Sequence, residues 1–563
     1  MTQPPDGVCG VLQWLDQIVR TMPSALEISD LKKPIEILSK YPAHDFTMQS
    51  FYQTRIGRDP DRPLILFRGK TWSWAAFWER IESTARMLAA RGIRAGDRIG
   101  VMATNSDGHV LLLFALARLR AMLVPVNPEF GVEEARYVLT HAGVSAVACS
   151  EETLAVATEA CGETTPVPWF FVLDKRSGSV PGLDELLAEA QNTSLPDNVS
   201  PDDTCVIVYT SGTTGFPKGV MHSQRSFCLS GERHLERGYF QDDGRQLCVL
   251  PMFHINALFY SVASTVAAGA SMVIAPRFSA SEFWKLAAET GATQANLIMA
   301  ASTILARRPR TEYVPGHRLQ IVVGAPVTKE VMSVFMGEFG VKKMVEGFGM
   351  TEIPGAFGVP VEGPQTTGSM GKPGLHPDHS MKWTEARVVD DEGKDVPDDH
   401  DGELWVRIPT IMQRYYKDPE QTAAAFHEGW FKTGDFVRRG SDGNYTFVAR
   451  KKDVIRRRGE NIAGLEIDRT IAMHPAVSEV AAIGVQADIG EEEVLVAIVP
   501  KPGTSPTAQE IKQWCSERLA AFKVPRYVMF VESLPHTPTH KVAKHILKRD
   551  ATLRARAVDL HAS

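Results

Sequence analysis

The sequence predicts an α/β protein in two parts. A large, multi-lobed N-terminal domain has parallel sheets with crossover helices, and a small α+β C-terminal domain follows. Three observations carry this. Short apolar, β-branched runs alternate with amphipathic segments through the first half, the pattern of parallel strands joined by crossover helices. The 563 residues exceed what a single core ordinarily organises. After a charge-dense stretch at residues 450–458, helix and strand patterns resume in a tail of ordinary domain size.

Taken in order, residues 1–45 are weakly patterned and read as a surface extension with a helix or two. Residues 72–91 place Trp74, Phe77, Ile81 and Leu88 at helical spacing, with Ser73 as N-cap. A turn at residues 92–97 leads to a strand at 98–102, a helix at 108–120 and a strand at 122–126. The same alternation continues with a helix at 133–141 and strands at 144–149 and 206–209. The apolar run 110–126 is interrupted by Arg118 and Arg120, and is too short and too charged to span a bilayer. Further strands are expected at 320–323 and 402–407. In the tail the expected order is helix 465–474, strands 477–485 and 493–499, and helix 509–519.

The bulk numbers exclude some functions. A net charge of -6 argues against a nucleic-acid binder held by general electrostatics. Seven scattered cysteines with no CxxC pair fit a reducing, cytoplasmic setting and no structural zinc. The first ten residues carry Asp6 and no basic residue, so a secretory signal is not expected. His536, His540 and His545 match no zinc spacing.

The stretch with most chemistry in it is residues 209–220, Tyr-Thr-Ser-Gly-Thr-Thr-Gly-Phe-Pro-Lys-Gly-Val, directly after the apolar run Cys205-Val206-Ile207-Val208. Its glycines let backbone approach a ligand. Ser211, Thr213 and Thr214, backbone N–H groups beside Gly212 and Gly215, and the point charge of Lys218 suit phosphate oxygens. It is not the common P-loop, because Pro217 precedes Lys218 and Gly219 follows it. Further along stand Pro251-Met252-Phe253-His254-Ile255-Asn256, Gly324-Ala325-Pro326 after an apolar strand, Glu346-Gly347-Phe348-Gly349-Met350-Thr351-Glu352, and Lys432-Thr433-Gly434-Asp435. Taken alone, each of the shorter ones reads equally as a turn or a packed loop.

Together and in this order, these motifs resemble those of the adenylate-forming enzymes, over roughly residues 50–550. The nearest likeness is to acyl-CoA synthetases similar to crotonobetaine/carnitine-CoA ligase. The resemblance implies a domain of residues 46–451 that binds ATP and a carboxylic acid, and a mobile lid of residues 452–563, with Lys452 as hinge. It implies ATP, Mg²⁺ and coenzyme A as cofactors or co-substrates, and an acid activated as its adenylate before transfer to the thiol. It places His254 as a positioning residue between acid and nucleotide, and Gly324, Ala325 and Pro326 against the adenine. Glu346, Gly347, Phe348, Gly349 and Met350 are implied beside the nucleotide. Thr351 is assigned to the α-phosphate and Glu352 to Mg²⁺. Asp435 is assigned to the ribose, Arg450 and Asn461 to AMP, Arg458 and Gly459 to CoA, and Lys541 to adenylation, with Lys544 as the fallback. The chain departs from the pattern with Phe348 for Tyr, Ile408 for Gly, Ala449 for Gly and His540 for Gly.

Candidate acyl-pocket residues are Asn256, Phe259, Tyr260, Val323 and Ile353. These segments supply no fixed positive charge, so an aryl, branched or medium acyl group is expected. The partners expected are therefore small molecules, with no nucleic acid, no membrane span and a homodimer as the working assembly. Two other readings stay open: an adenylating enzyme that loads a carrier protein, and a nucleotide-binding protein that kept the fold without the chemistry.

Overall fold

The strands expected at 98–102 and 122–126 are Arg98–Met102 and Met122–Val126, paired in parallel, Arg98 opposite Met122 and Met102 opposite Val126. The structure, a computed structural model, describes residues 30–560 apart from 58, 163, 165, 167, 189–192, 211–216, 364, 366, 458–459, 487–491, 537–541 and 551. It divides into two units. One comprises Met1–Thr210, Pro217–Glu385 and Arg407–Gly429; the other includes Ala386–Val406 and Trp430–Ser563.

In the first unit, one sheet runs in the order Arg414–Tyr415, Lys218–Ser223, Thr204–Thr210, Met122–Val126, Arg98–Met102, Ala146–Cys149 and Trp169–Val172. Every residue of Met122–Val126 is buried, as expected of a strand covered on both faces. The helix Trp74–Ala90 takes its start from Ser73, whose hydroxyl accepts the Ala76 N–H at 3.2 Å. That helix buries the stripe Trp74, Phe77, Ile81 and Leu88. The apolar run after residue 109 is the buried helix Asp107–Arg118 followed by a strand. Its two interrupting charges are paired: Arg118 with Glu82 at 3.1 Å and Arg120 with Asp203 at 3.0 Å. Among the described residues no helix is long and apolar enough to cross a membrane.

A second sheet of this unit holds, side by side and parallel, Arg245–Cys248, Gln294–Asn296, Ile321–Gly324 and Lys343–Phe348. Beside them the helix Gln224–Gly238 packs on Ala263–Ala268 so closely that a Cβ on Gly231 would lie 2.4 Å from the Ala263 carbonyl oxygen. The small residues of that run serve this approach. Residues 30–45 differ from the expected surface extension. Ile37 is fully buried, Lys32 N–H reaches Gln241 Oε1 at 3.0 Å, and the Tyr41 hydroxyl donates to the Ala268 carbonyl at 3.0 Å.

The second unit contains the antiparallel strands Asp401–Arg407, Trp430–Arg439 and Tyr445–Arg450. It also holds the hairpin Val454–Arg457 with Glu460–Ala463. Its tail is the sheet Val477–Gln486, Glu492–Pro500, Tyr527–Phe530 and Val558–Asp559, with helices Gly464–Ala472 and Ala508–Ser516. Ile467, Ile471, Ile511 and Val496 form its core on one face of that sheet.

Candidate active site

Three of four adjacent parallel strands of the first unit end at segments the sequence singled out, and the fourth, Gln294–Asn296, lies between them. Arg245–Cys248 leads to His254, Gln294–Asn296 to Ile298 and Met299, Ile321–Gly324 to Ala325 and Pro326, and Lys343–Phe348 to Gly349 and Glu352. Carboxyl ends of adjacent parallel strands are where open α/β sheets hold ligands, because the helices start there and backbone N–H groups are exposed.

Glu352 is buried, and its Oε1 accepts a hydrogen bond from the Tyr415 hydroxyl at 2.9 Å. The Nζ of Lys218 lies 5.4 Å from the centre of the same Tyr415 ring. Burial beside the Glu352 carboxylate drives the Tyr415 hydroxyl far above its ordinary range, so it stays protonated and donates. The segment around Tyr415 is held by backbone bonds: Met412 N–H to the Glu352 carbonyl, 2.8 Å, and Tyr416 N–H to the Gly219 carbonyl, 2.7 Å. Lys218 opens the strand Lys218–Ser223, opposite Thr210. Lys218, Glu352 and Tyr415 are thus held together by one set of backbone and side-chain contacts.

The Thr351 carbonyl accepts from His222 Nε2 at 2.7 Å. Burial holds His222 down at about 4, so the ring is neutral and Nε2 carries its proton. His222 packs on Phe259, ring centres 4.9 Å apart, and Phe259 also meets Phe227 at 5.4 Å. Phe259 and Ile353 are fully buried. Asn256, Phe259 and Tyr260 lie on one wide helical turn, Asn256–Val262. Tyr260 accepts the Gly355 N–H at 2.9 Å and lies flat on His234, ring centres 5.3 Å apart. His254 is half-buried, its ring 4.4 Å from that of Phe253. Phe348 is half-buried and meets Phe357 edge-on at 6.1 Å. Val323 packs with Leu31, Val345 and Val361, and Gly324 is followed by a cis Ala325–Pro326 bond. Glu346 Oε2 accepts the Gly368 N–H at 3.0 Å.

In the second unit Asp435 is fully buried and sits across the strand pair from Arg450, whose guanidinium reaches Asp435 Oδ1 at 2.8 Å. Lys451 pairs with Glu403 at 2.8 Å and Asp391 at 3.4 Å. Arg457 is buried against Glu493 at 2.7 Å. Three cations of the charge-dense stretch, Arg450, Lys451 and Arg457, are therefore ion-paired within this unit. Lys452 lies in the turn Lys451–Asp453, and Asn461 in the strand Glu460–Ala463. Lys544 is ion-paired with the half-buried Asp468, which also accepts the Ala482 N–H at 2.6 Å. Ser211, Gly212, Thr213, Thr214, Gly215, Arg458, Gly459, His540 and Lys541 lie outside the described residues.

Residues 52–416 match the family model for the AMP-binding enzyme, and residues 466–541 that for the AMP-binding enzyme C-terminal domain. The chain belongs to the AMP-binding enzyme family. It is 30% identical to an oxalate–CoA ligase of Arabidopsis thaliana over 89% of this chain and 98% of that one. It is 29% identical to a crotonobetaine/carnitine–CoA ligase of Salmonella agona, over 87% of this chain and 96% of that one. The ATP-bound crystal structure of MatB from Rhodopseudomonas palustris superposes with a TM-score of 0.77 at 27% identity, covering 88% of this chain and 98% of that one.

Four residues near the site of this AMP-binding enzyme were not singled out from the sequence. Tyr415 is seen in the sequence only as part of an aromatic pair, and its bond to Glu352 spans sixty-three positions. His222 lies in a strand, where a lone histidine carries no signal. Arg233 and Arg237 lie on the helix Gln224–Gly238, both buried. Two arginines four apart on a helix face that is otherwise buried were the available sign.

Among the described residues no group of histidines, cysteines and carboxylates is placed to hold a metal by itself. The chemistry of Glu352 nonetheless fits a magnesium ion that arrives with nucleotide. It is a hard, buried carboxylate with one oxygen engaged by Tyr415, and Mg²⁺ commonly takes one protein carboxylate with phosphates and waters.

Proposed function

We propose that this protein is an ATP-dependent carboxylate–CoA ligase that forms an acyl-adenylate and then an acyl-CoA thioester, releasing pyrophosphate and AMP. The observation that carries the reading is the Lys218–Tyr415–Glu352 arrangement, at the strand ends of a chain that belongs to the AMP-binding enzyme family. Curated relatives that share nearly its whole length are CoA ligases.

The chemical obstacle is bringing a carboxylate oxygen to an anionic phosphorus. Cations and donors fixed beforehand lower that barrier without reorganising during reaction. In the proposed first step a carboxylate oxygen bonds to the α-phosphorus and the bond to pyrophosphate breaks. Lys218 and the hydroxyls of Ser211, Thr213 and Thr214 hold the departing phosphates. The Thr351 hydroxyl contacts the α-phosphate, while its carbonyl is pinned by His222. Glu352, with Tyr415 bonded to one oxygen, would hold Mg²⁺, which when bound supplies positive charge to the phosphates. Gly324, Ala325, Pro326 and Phe348 form the adenine wall, and His254 orients the acid. Asp435, beside Arg450, takes the ribose hydroxyls, and Lys541 contributes the second cation. In the second step the CoA thiolate bonds to the acyl carbon and AMP leaves. Arg458 and Gly459 are assigned to CoA, Asn461 to AMP and Lys452 to the hinge. These assignments rest on motif position.

The test is AMP release and thioester formation with ATP, Mg²⁺ and a panel of carboxylic acids, with and without CoA. Acid-dependent thioester, identified by mass, is the expected result. Pyrophosphate exchange with no CoA thioester would mean a carrier-protein loader instead, and no exchange with any acid would end the adenylation reading.

A further inference from the structure

We propose that the acid this enzyme activates bears a second anionic group, a carboxylate or a sulfonate, received by the guanidinium of Arg237. The inference rests on the carboxylate–CoA ligase reading and names its substrate class.

Arg233 and Arg237 stand one helical turn apart on Gln224–Gly238 and are only 4% and 6% exposed. Among the described residues, neither guanidinium has a carboxylate in ion-pair contact. Arg233 Nε donates to the Gly355 carbonyl at 3.2 Å. Arg237 Nε is buried with no hydrogen-bond partner. The carboxylates beside them on the helix are engaged elsewhere, Glu232 by His44 at 2.9 Å and His376 at 3.1 Å, and Glu236 by His379 at 3.4 Å. Glu346 faces Arg237 from beyond ion-pair reach, with one oxygen engaged by the Gly368 N–H. Tyr260 presents its ring 5.7 Å from Arg237. Two like charges buried one turn apart with no carboxylate in ion-pair contact are costly, and burial lowers both. An anionic ligand supplies what is missing.

The position of Arg237 says where that ligand lies. A Cβ on Gly347 would fall 2.6 Å from a terminal nitrogen of Arg237, so the guanidinium occupies the space a side chain at 347 would fill. Gly347 lies at the end of the strand that leads to Thr351 and Glu352. A Cβ on Gly349, two residues on, would meet the Tyr260 hydroxyl at 2.7 Å. Glycine at 347 thus admits a cation to the turn that carries the candidate adenylation groups. The four strand-end segments, 251–260, 296–305, 323–327 and 347–354, contain no lysine or arginine of their own. The charge comes from behind, off the helix. An arginine fork receives a carboxylate or sulfonate in two parallel hydrogen bonds, which a hydrocarbon acid of the same length cannot use.

The experiment is ATP–pyrophosphate exchange by the full-length enzyme on matched acids: butyrate against succinate, propionate against 3-sulfopropionate, benzoate against phthalate. The expected result is a kcat/KM about ten- to a hundred-fold higher for the dianionic member of at least one pair, the scale of one charge-assisted contact. Arg237→Leu should erase that ratio through KM for the acid and leave KM for ATP unchanged, and Arg237→Lys should retain part of it. A succinate-dependent rise in melting temperature, absent with butyrate, is the matching readout in the wild type if the leucine variant fails to fold. Exchange confined to the monoanionic acids, or a ratio untouched by Arg237→Leu, overturns this proposal and leaves the ligase reading standing. No exchange with any acid overturns both.

Discussion

The Tyr415 hydroxyl donates a 2.9 Å hydrogen bond to Oε1 of Glu352, and both side chains are buried. The bond fixes the direction in which the other carboxylate oxygen can act. Tyr415→Phe should therefore raise the Mg²⁺ concentration needed for half-maximal exchange and slow exchange about three- to tenfold, the loss of one ordinary hydrogen bond. Exchange rates titrated with Mg²⁺ at saturating ATP check this. An unchanged Mg²⁺ curve would separate Tyr415 from Glu352 in function.

Glu352→Gln keeps the shape and removes the charge. We expect exchange to fall about a hundredfold or more, as for loss of a fixed electrostatic group, with the thermal midpoint little changed. A full rate in the glutamine variant would show that Glu352 serves packing alone.

Lys541 and Lys544 can be told apart. Lys544 is ion-paired with the half-buried Asp468. Lys544→Ala strands that partly buried carboxylate and should cost about 1–3 kcal/mol of stability, read by denaturant unfolding, while the folded fraction still forms adenylate. Lys541→Ala should do the opposite: intact stability, nucleotide still bound, and adenylate formation down about a hundredfold or more. If Lys544→Ala alone abolished adenylation in a folded protein, the catalytic assignment would move to Lys544.

Burial would push the Glu232 carboxyl up, but the N–H groups of His376 and His44 outweigh it and hold Glu232 at about 2. Each histidine is oriented by a backbone N–H on its other nitrogen, Phe46 on His44 at 3.1 Å and Asp378 on His376 at 3.0 Å. The folded value lies below the ordinary glutamate value, so this stability is full above about pH 4.5 and is lost as pH falls towards 2. The stake is on the order of 3 kcal/mol. Glu232→Gln should lower stability at pH 7 and flatten its fall between pH 4.5 and 2. Equal acid sensitivity of variant and wild type, by denaturant melts across that window, would refute the assignment.

Legibility differed between fold and site for physical reasons. Arg98–Met102 and Met122–Val126 were readable to the residue because period and turn chemistry are local. Ser73 was readable as a cap for the same reason. The wide turn Asn256–Val262 was not, because an extra residue per turn is set by packing rather than composition. Residues 30–45 showed no period, yet they dock through single anchors such as Ile37 and Tyr41.

By itself the sequence determined the α/β alternation and located the glycine- and hydroxyl-rich stretch before Lys218 and the motif ending in Thr351 and Glu352, because each is a local pattern. Only the tertiary structure decided that Tyr415 bonds Glu352, that Asp468 occupies Lys544, and that Arg237 stands where a side chain at 347 would be. Those pairings join residues scores of positions apart. Their strength depends on burial and on which charge lacks a partner, and neither exists until the chain has folded.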